Sequence, residues 1–116
     1  MKEDFLQKLF DLIEERKGSN SQDSYAKSLF EAGSKKINEK VLEETLELLE
    51  ATSETSTTKK EKVIHEAADL WFHTFILLSN ENINLEEIIA ELESRFGTSG
   101  SRLSELDSRW RLNSFR

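Results

Sequence analysis

Residues 63–78 read VIHEAADLWFHTFILL, and the reading of this stretch decides the fold. Placed at about 100° per residue, its apolar side chains run almost all the way round a helix, and such a helix belongs in a core. Glu66, Asp69 and His73 fall within one stripe roughly 60° wide, flanked by Leu70, Ile76 and Leu77. Carboxylates are seldom buried among leucines without a partner, because losing water costs more than packing returns. Two acids in such a stripe want a cation.

A second acidic pair lies upstream. Residues 40–51 read KVLEETLELLEA, and Glu44 and Glu47 repeat the spacing of three that projects two carboxylates from one side of a helix. Taken alone this helix is bland. Ile37, Val41, Leu42, Thr45, Leu48 and Leu49 make an apolar face, and Glu43, Glu44, Glu47 and Glu50 stand opposite, as on any solvated surface. The polar run TSETSTTKK, residues 52–60, separates the two helices, with Thr58 and Glu61 spaced as a capping box. So short a connection predicts an antiparallel hairpin, in which the acidic pairs can meet.

The remaining chain supplies packing. A first helix is expected from Glu3 to Lys17, with Phe5, Leu6, Leu9, Phe10, Leu12 and Ile13 inward and Gly18 as its stop. Arg16 and Lys17 occupy its last turn, where cations complement the helix dipole. After the polar GSNSQDS, a short helix from Tyr25 closes at Gly33, with Tyr25, Leu29 and Phe30 facing inward. Asn84 and Glu87 open a last helix whose Leu85, Ile88, Ile89, Leu92 and Phe96 form its packing face, ended by Gly97. The Ser/Arg-rich remainder, 101–116, is either docked or mobile. The expectation is all-α: a bundle of four to five helices, with one domain over 1–100 and a C-terminal tail.

Composition narrows the function. At 116 residues without proline and with four glycines, the chain suits one helical domain, small enough to gain from oligomerising. The absence of cysteine excludes disulfides and thiolate metal sites and suits the cytoplasm. The N-terminal residues mix acids with apolar side chains, unlike a signal peptide, and no apolar run reaches the ~18 residues of a membrane span. A net charge of −7, from 23 acidic and 16 basic residues, argues against a nucleic-acid surface. It leaves room for a polyanionic substrate, because divalent cations bridge carboxylates to phosphates.

Glu44, Glu47, Glu66 and Asp69, with no thiolate and one adjacent histidine, suit a hard cation: Mg²⁺, with Mn²⁺ as the alternative. A carboxylate-rich cleft between helices then points to metal-assisted attack on a phosphoanhydride. Glu43 is the spare carboxylate that could order or deprotonate the attacking water.

The residues 40–47, KVLEETLE, followed by 66–73, EAADLWFH, resemble the E-x-x-E and E-x-x-D motifs of the all-α nucleoside triphosphate pyrophosphohydrolases. Within that superfamily the sequence is most similar to the phosphoribosyl-ATP pyrophosphohydrolases of histidine biosynthesis. The segments LFDLIEERK at 9–17, SYAKSLFEAG at 24–33, Lys36, Ile37 and Lys40, and RFGTSG at 95–100 share in the resemblance. It spans roughly residues 5–100. Leu42 departs from it, standing where the family usually has glycine. So do the Thr/Ser-rich loop between the acidic helices and the tail beyond Gly100.

The resemblance implies hydrolysis of 1-(5-phosphoribosyl)-ATP to the AMP derivative and pyrophosphate, Mg²⁺ dependence and a homodimer. It implies that Glu44, Glu47, Glu66 and Asp69 are metal ligands, that Glu43 is a nearby catalytic acid, and that Lys40 contacts phosphate. Lys36, Arg16, Lys17 and Tyr25 match family positions and are expected on the substrate side. Ser24 and His73 match too, and His73 reads equally as a packed, hydrogen-bonded histidine. The sequence shows no fused cyclohydrolase domain, so a separate enzyme is expected. Two other readings stand beside this one: a house-cleaning or dUTP-type pyrophosphohydrolase of the same superfamily, and a non-catalytic helical interaction module.

Overall fold

The structure, a computed structural model, describes residues 2–96. The described residues contain five α-helices: α1 Lys2–Lys17, α2 Tyr25–Ala32, α3 Ser34–Thr52, α4 Lys59–Asn80 and α5 Leu85–Phe96. The all-α expectation holds, and each helix lies where the apolar periodicity put it. The expected stop at Gly97 and the tail 101–116 lie outside the described residues. The chain divides into two units, residues 1–83 and residues 84–116.

In the first unit α3 and α4 form the principal pair. Glu54 meets Lys62 at 2.7 Å, Glu47 lies beside Glu66, and Asn80 Nδ2 donates to Ser34 Oγ at 2.9 Å. Position numbers fall along α3 as they rise along α4, so the two helices are antiparallel. The turn between them differs from the capping-box expectation. Thr58 makes no side-chain cap; its hydroxyl pairs with Ser56 Oγ at 3.0 Å.

The α1–α2 corner closes over this hairpin. Phe10 and Ile13 of α1, Ala26 and Leu29 of α2, and Phe75 and Ile76 of α4 are buried. Phe10 and Phe75 meet edge to face with ring centroids 5.4 Å apart, an arrangement that suits the aromatic quadrupole. Gly33 permits the sharp passage from α2 to α3, holding φ at +97°, where a side chain would be strained. Lys17 ties the end of α1 to the end of α4: its Nζ donates to Ser79 O at 2.8 Å and reaches Asn82 Oδ1 at 3.4 Å. That carbonyl lies in the last turn of α4, where helix C=O groups lack intrahelical donors.

Two expectations about faces are overturned. On α3 the buried positions are Ile37, Glu44 and Ala51, one every seven residues, whereas Leu42, Leu46 and Leu49 are each more than half exposed. Glu44, expected on the acidic side at its apolar boundary, is thus in the seam, and Leu42 and Leu49, expected inward, are outside. The cause is register. The hairpin places the Ile37–Glu44–Ala51 line toward α4, and the leucine row sits nearly half a turn away. On α4, Ile64 and Trp71 are likewise more than half exposed, so the described chain covers one side of that apolar helix and leaves the other in water.

In the second unit, α5 begins as expected. The Asn84 N–H donates to Glu87 Oε2 at 2.8 Å, the reach-back half of a capping box. Leu85 is buried.

Candidate active site

The carboxylates of the hairpin come together at its middle. Ligand atoms of Glu44, Glu47 and Glu66 all lie within 4.8 Å of one another, and those of His65, Glu66 and Asp69 form an overlapping group of the same span. Glu66 belongs to both. Of the four acids expected to act together, three form one cluster and Asp69 joins it through Glu66.

Electrostatics describe a site short of positive charge. Glu44 is 6% exposed, and its Oε2 is shut from solvent without a hydrogen-bond partner; Glu66 Oε2 is in the same position. Loss of hydration pushes the Glu44 carboxyl above its ordinary value, and the neighbouring Glu47 and Asp69 add to the shift, against the opposing pull of His73 and Lys40. Glu66 is also raised, first by desolvation, then by the close approach of the Glu47 carboxyl and the charges of Glu47 and Asp69, while His65 opposes. Both shifts have one cause, negative charge gathered where little positive charge answers it.

Lys40 is the nearest ammonium in the described ion pairs, 3.7 Å from Glu44 Oε1 and 3.8 Å from Glu43. Desolvation lowers its pKa, but Tyr25, Glu43, Glu44 and Glu47 together outweigh that and hold it above the usual lysine value. It stays charged. The 3.7 Å separation is long for a hydrogen-bonded pair, so Lys40 leaves Glu44 Oε2 unsatisfied. Glu43 is exposed on the same turn, and Lys36 is exposed one turn earlier.

Tyr25 and His73 extend the site toward α2. His73, 6% exposed, places Nδ1 at 2.7 Å from the Asp69 carbonyl and Nε2 at 2.8 Å from the Tyr25 hydroxyl. A carbonyl can only accept, so Nδ1 carries the proton; in the neutral ring Nε2 then accepts from Tyr25. The packed-histidine reading therefore describes this contact. Tyr25 was expected to face inward, yet its ring is 48% exposed, and Ala26 fills the inward position. The short helix rotates the phenol to the rim, where only its hydroxyl reaches inside. Desolvation raises the Tyr25 pKa; Lys40 opposes, and Glu44, Glu43 and Asp69 reinforce it.

The two basic residues ending α1 separate. Lys17 is engaged by Ser79, Asn82 and Glu14, the last at 3.1 Å. Ser79 is ten residues beyond Asp69, about 15 Å along α4. Arg16 lines a separate recess with Tyr25.

His65, which the acidic motifs do not include, joins the cluster. Its Nε2 is 3.3 Å from Asp69 Oδ2, and the signal was present: His65 and Asp69 are four apart on one helix. Lys62, which pairs with Glu54 and lines a recess with Glu47 and Glu66, was also passed over as part of a polar loop and capping segment.

An all-α hairpin with carboxylates gathered across its seam is the class of site these residues define. Comparison with known proteins makes it specific. The family model described as phosphoribosyl-ATP pyrophosphohydrolase matches residues 6–96. A protein of Geobacter metallireducens named phosphoribosyl-ATP pyrophosphatase is 44% identical over 85% of this chain and 88% of its own length. Proteins of the same name from Vesicomyosocius okutanii and Geotalea daltonii are each 42% identical, over 84% and 94% of this chain and 90% and 98% of their own lengths. The chain belongs to the phosphoribosyl-ATP pyrophosphohydrolase family. It is an enzyme family, and the interaction-module reading falls away.

Proposed function

We propose that this chain hydrolyses 1-(5-phosphoribosyl)-ATP to 1-(5-phosphoribosyl)-AMP and pyrophosphate, the second step of histidine biosynthesis. We further propose that Glu44, Glu47, Glu66 and Asp69 hold Mg²⁺, with Mn²⁺ as the alternative ion. The observation that carries this reading is the pair of solvent-excluded, donorless oxygens, Glu44 Oε2 and Glu66 Oε2, in one carboxylate cluster. An acceptor shut from water without a donor is destabilising, more so when charged, and a hard cation removes that cost with the oxygen ligands it prefers. When bound, Mg²⁺ neutralises phosphate charge and lowers the pKa of a water. Family membership supports the substrate, since the relatives carry that activity in their names.

The chain's own groups divide the remaining work. Lys40, charged and beside the cluster, attracts the polyphosphate, and exposed Lys36 extends that positive edge. Glu43, exposed on the same turn, orients or deprotonates the attacking water. Arg16 and Tyr25 lie on the substrate side. Lys17, expected there too, is left out of this set because its ammonium already holds the end of α4.

The exposed rows Leu42–Leu46–Leu49 and Ile64–Trp71 support a homodimer whose second copy covers them, as a bundle completed by two chains. The family match over residues 6–96 supports a catalytic domain within 1–100. No helix among the described residues is long and apolar enough to cross a membrane, in keeping with the cytoplasmic placement we propose. The test is pyrophosphate release from phosphoribosyl-ATP after treatment with EDTA. Silence in chelator with recovery on adding Mg²⁺ is expected, and full activity in chelator would reject metal assistance.

A further inference from the structure

A cavity of about 310 Å³ opens beside the carboxylate cluster, between the end of α1, the start of α2 and α4. It lies at the small end of the ~300–1,000 Å³ range of ligand sites. Leu9, Leu12 and Ile13 of α1 and Phe72 of α4 give it an apolar wall. Arg16, Ser21, Asp23 and Ser24 line it with polar groups, and Tyr25 stands in its wall while reaching His73 beside Asp69. The phenol thus joins the cavity to the carboxylates.

Arg16 is the unusual group. It is half-buried in a chain of net charge −7. Its neighbour Lys17 has three partners, yet the Arg16 guanidinium has no ion pair or hydrogen bond among the described residues. A planar fork of donors suits a phosphate, which can accept from it at two points. The start of α2 faces the same cavity and has no acid in its first turn, so its dipole also favours an anion there. Asp23 is the one carboxylate of the lining; with Ser21 and Ser24 it offers acceptors for sugar hydroxyls, which cations cannot provide. The wall of Leu9, Leu12, Ile13 and Phe72 suits a flat heterocycle.

We propose that this cavity receives the adenine and phosphoribosyl end of the substrate, and that Arg16 binds the phosphate monoester of that end, remote from the anhydride that is cleaved. This rests on the activity proposed above and deepens it. The molecule then carries two anionic ends to two different cations, the triphosphate to the cluster and Lys40, the monoester to Arg16. Arg16 becomes the residue that separates phosphoribosyl-ATP from ATP, which lacks the phosphoribosyl group and its monoester. This remote contact is made alike in the ground state and the transition state, so its loss is read in KM.

The test is steady-state hydrolysis of phosphoribosyl-ATP by the wild type, Arg16→Gln and Arg16→Lys, with calorimetric binding of phosphoribosyl-AMP and AMP to each. Losing a charge-assisted contact should lower kcat/KM by roughly 10- to 100-fold in Arg16→Gln, mainly through KM. Arg16→Lys should recover part of it, since it keeps the charge without the fork. The wild type should bind phosphoribosyl-AMP more tightly than AMP, and Arg16→Gln should show that preference reduced about 10-fold or more. Unchanged kinetics in a folded Arg16→Gln, or an undiminished preference for phosphoribosyl-AMP, would overturn the proposal. Should either variant lose helicity, Leu12→Glu, which puts a negative charge into the cavity lining from an already exposed position, must raise KM; an unaltered KM would equally overturn it. A wild type inert toward phosphoribosyl-ATP would instead count against the activity itself, and phosphoribosyl-AMP binding would still decide the role of Arg16.

Discussion

Glu44 on α3 and Glu66 on α4 face each other across the hairpin seam, each with one carboxylate oxygen sealed from solvent and lacking a donor. Nothing in helix packing asks for this. A structural seam would place leucine at such positions, and α3 has leucines to spare on its outer face. The arrangement is unfavourable for the empty protein and favourable for one that holds a cation.

Neutralising either acid should therefore separate activity from stability. Glu44→Gln and Glu66→Gln are expected to lose at least ~100-fold in pyrophosphate release, because a metal-derived contribution of several kcal/mol is at stake. Thermal unfolding in chelator should be unchanged or higher in temperature, since a like-charge clash has been removed. A large fall in unfolding temperature would assign these residues to the architecture.

The raised carboxyls also fix a pH dependence. A group whose folded pKa lies above its ordinary value of 4.5 binds more protons folded than unfolded, so stability falls as pH rises through that window. Metal-free protein should lose stability as pH climbs from about 4.5 toward neutrality, and Glu44→Gln should show a smaller decline. Urea unfolding at a series of pH values in EDTA measures both. A decline equal in the two proteins would contradict the assignment.

The Tyr25–His73 contact should matter for stability as well as for shape. In Tyr25→Phe the buried His73 Nε2 loses its donor, at a cost of about 1 kcal/mol. Chemical denaturation gives the value directly. No change would mean that water replaces the phenol without loss.

The exposed leucine row makes an oligomer prediction. Leu46→Glu, or Leu49→Glu, places a charge in what would be a buried interface. Light scattering on a sizing column should then report a monomer, against a dimer for the wild type. A monomeric wild type at micromolar concentration would remove the homodimer from the account.

Much of the fold was legible because helices announce themselves locally. Gly33, the Asn84–Glu87 reach-back and the apolar spacing of α1 and α4 needed no tertiary information. What was not legible was rotation about each helix axis. The sequence 40–51 carries both a leucine row and a glutamate row, and amphipathicity alone put the leucines inside. Register against α4, set by the hairpin, put Glu44 in the seam instead. Tyr25 turned outward and Lys17 was diverted to Ser79 for the same reason: both depend on contacts dozens of residues away. The carboxylate constellation was readable because a spacing of three keeps each pair on one face whatever the rotation, and the acids set among apolar side chains in 63–78 marked the face that lacks water.

The measurement that tests the central claim most directly is pyrophosphate release from phosphoribosyl-ATP, run beside ATP and dUTP, with and without Mg²⁺. Metal-dependent release from phosphoribosyl-ATP, with little from the other two, is the predicted result. Release chiefly from ATP or dUTP would contradict the substrate assignment and favour a house-cleaning enzyme, and release that ignores Mg²⁺ would contradict the carboxylate site itself.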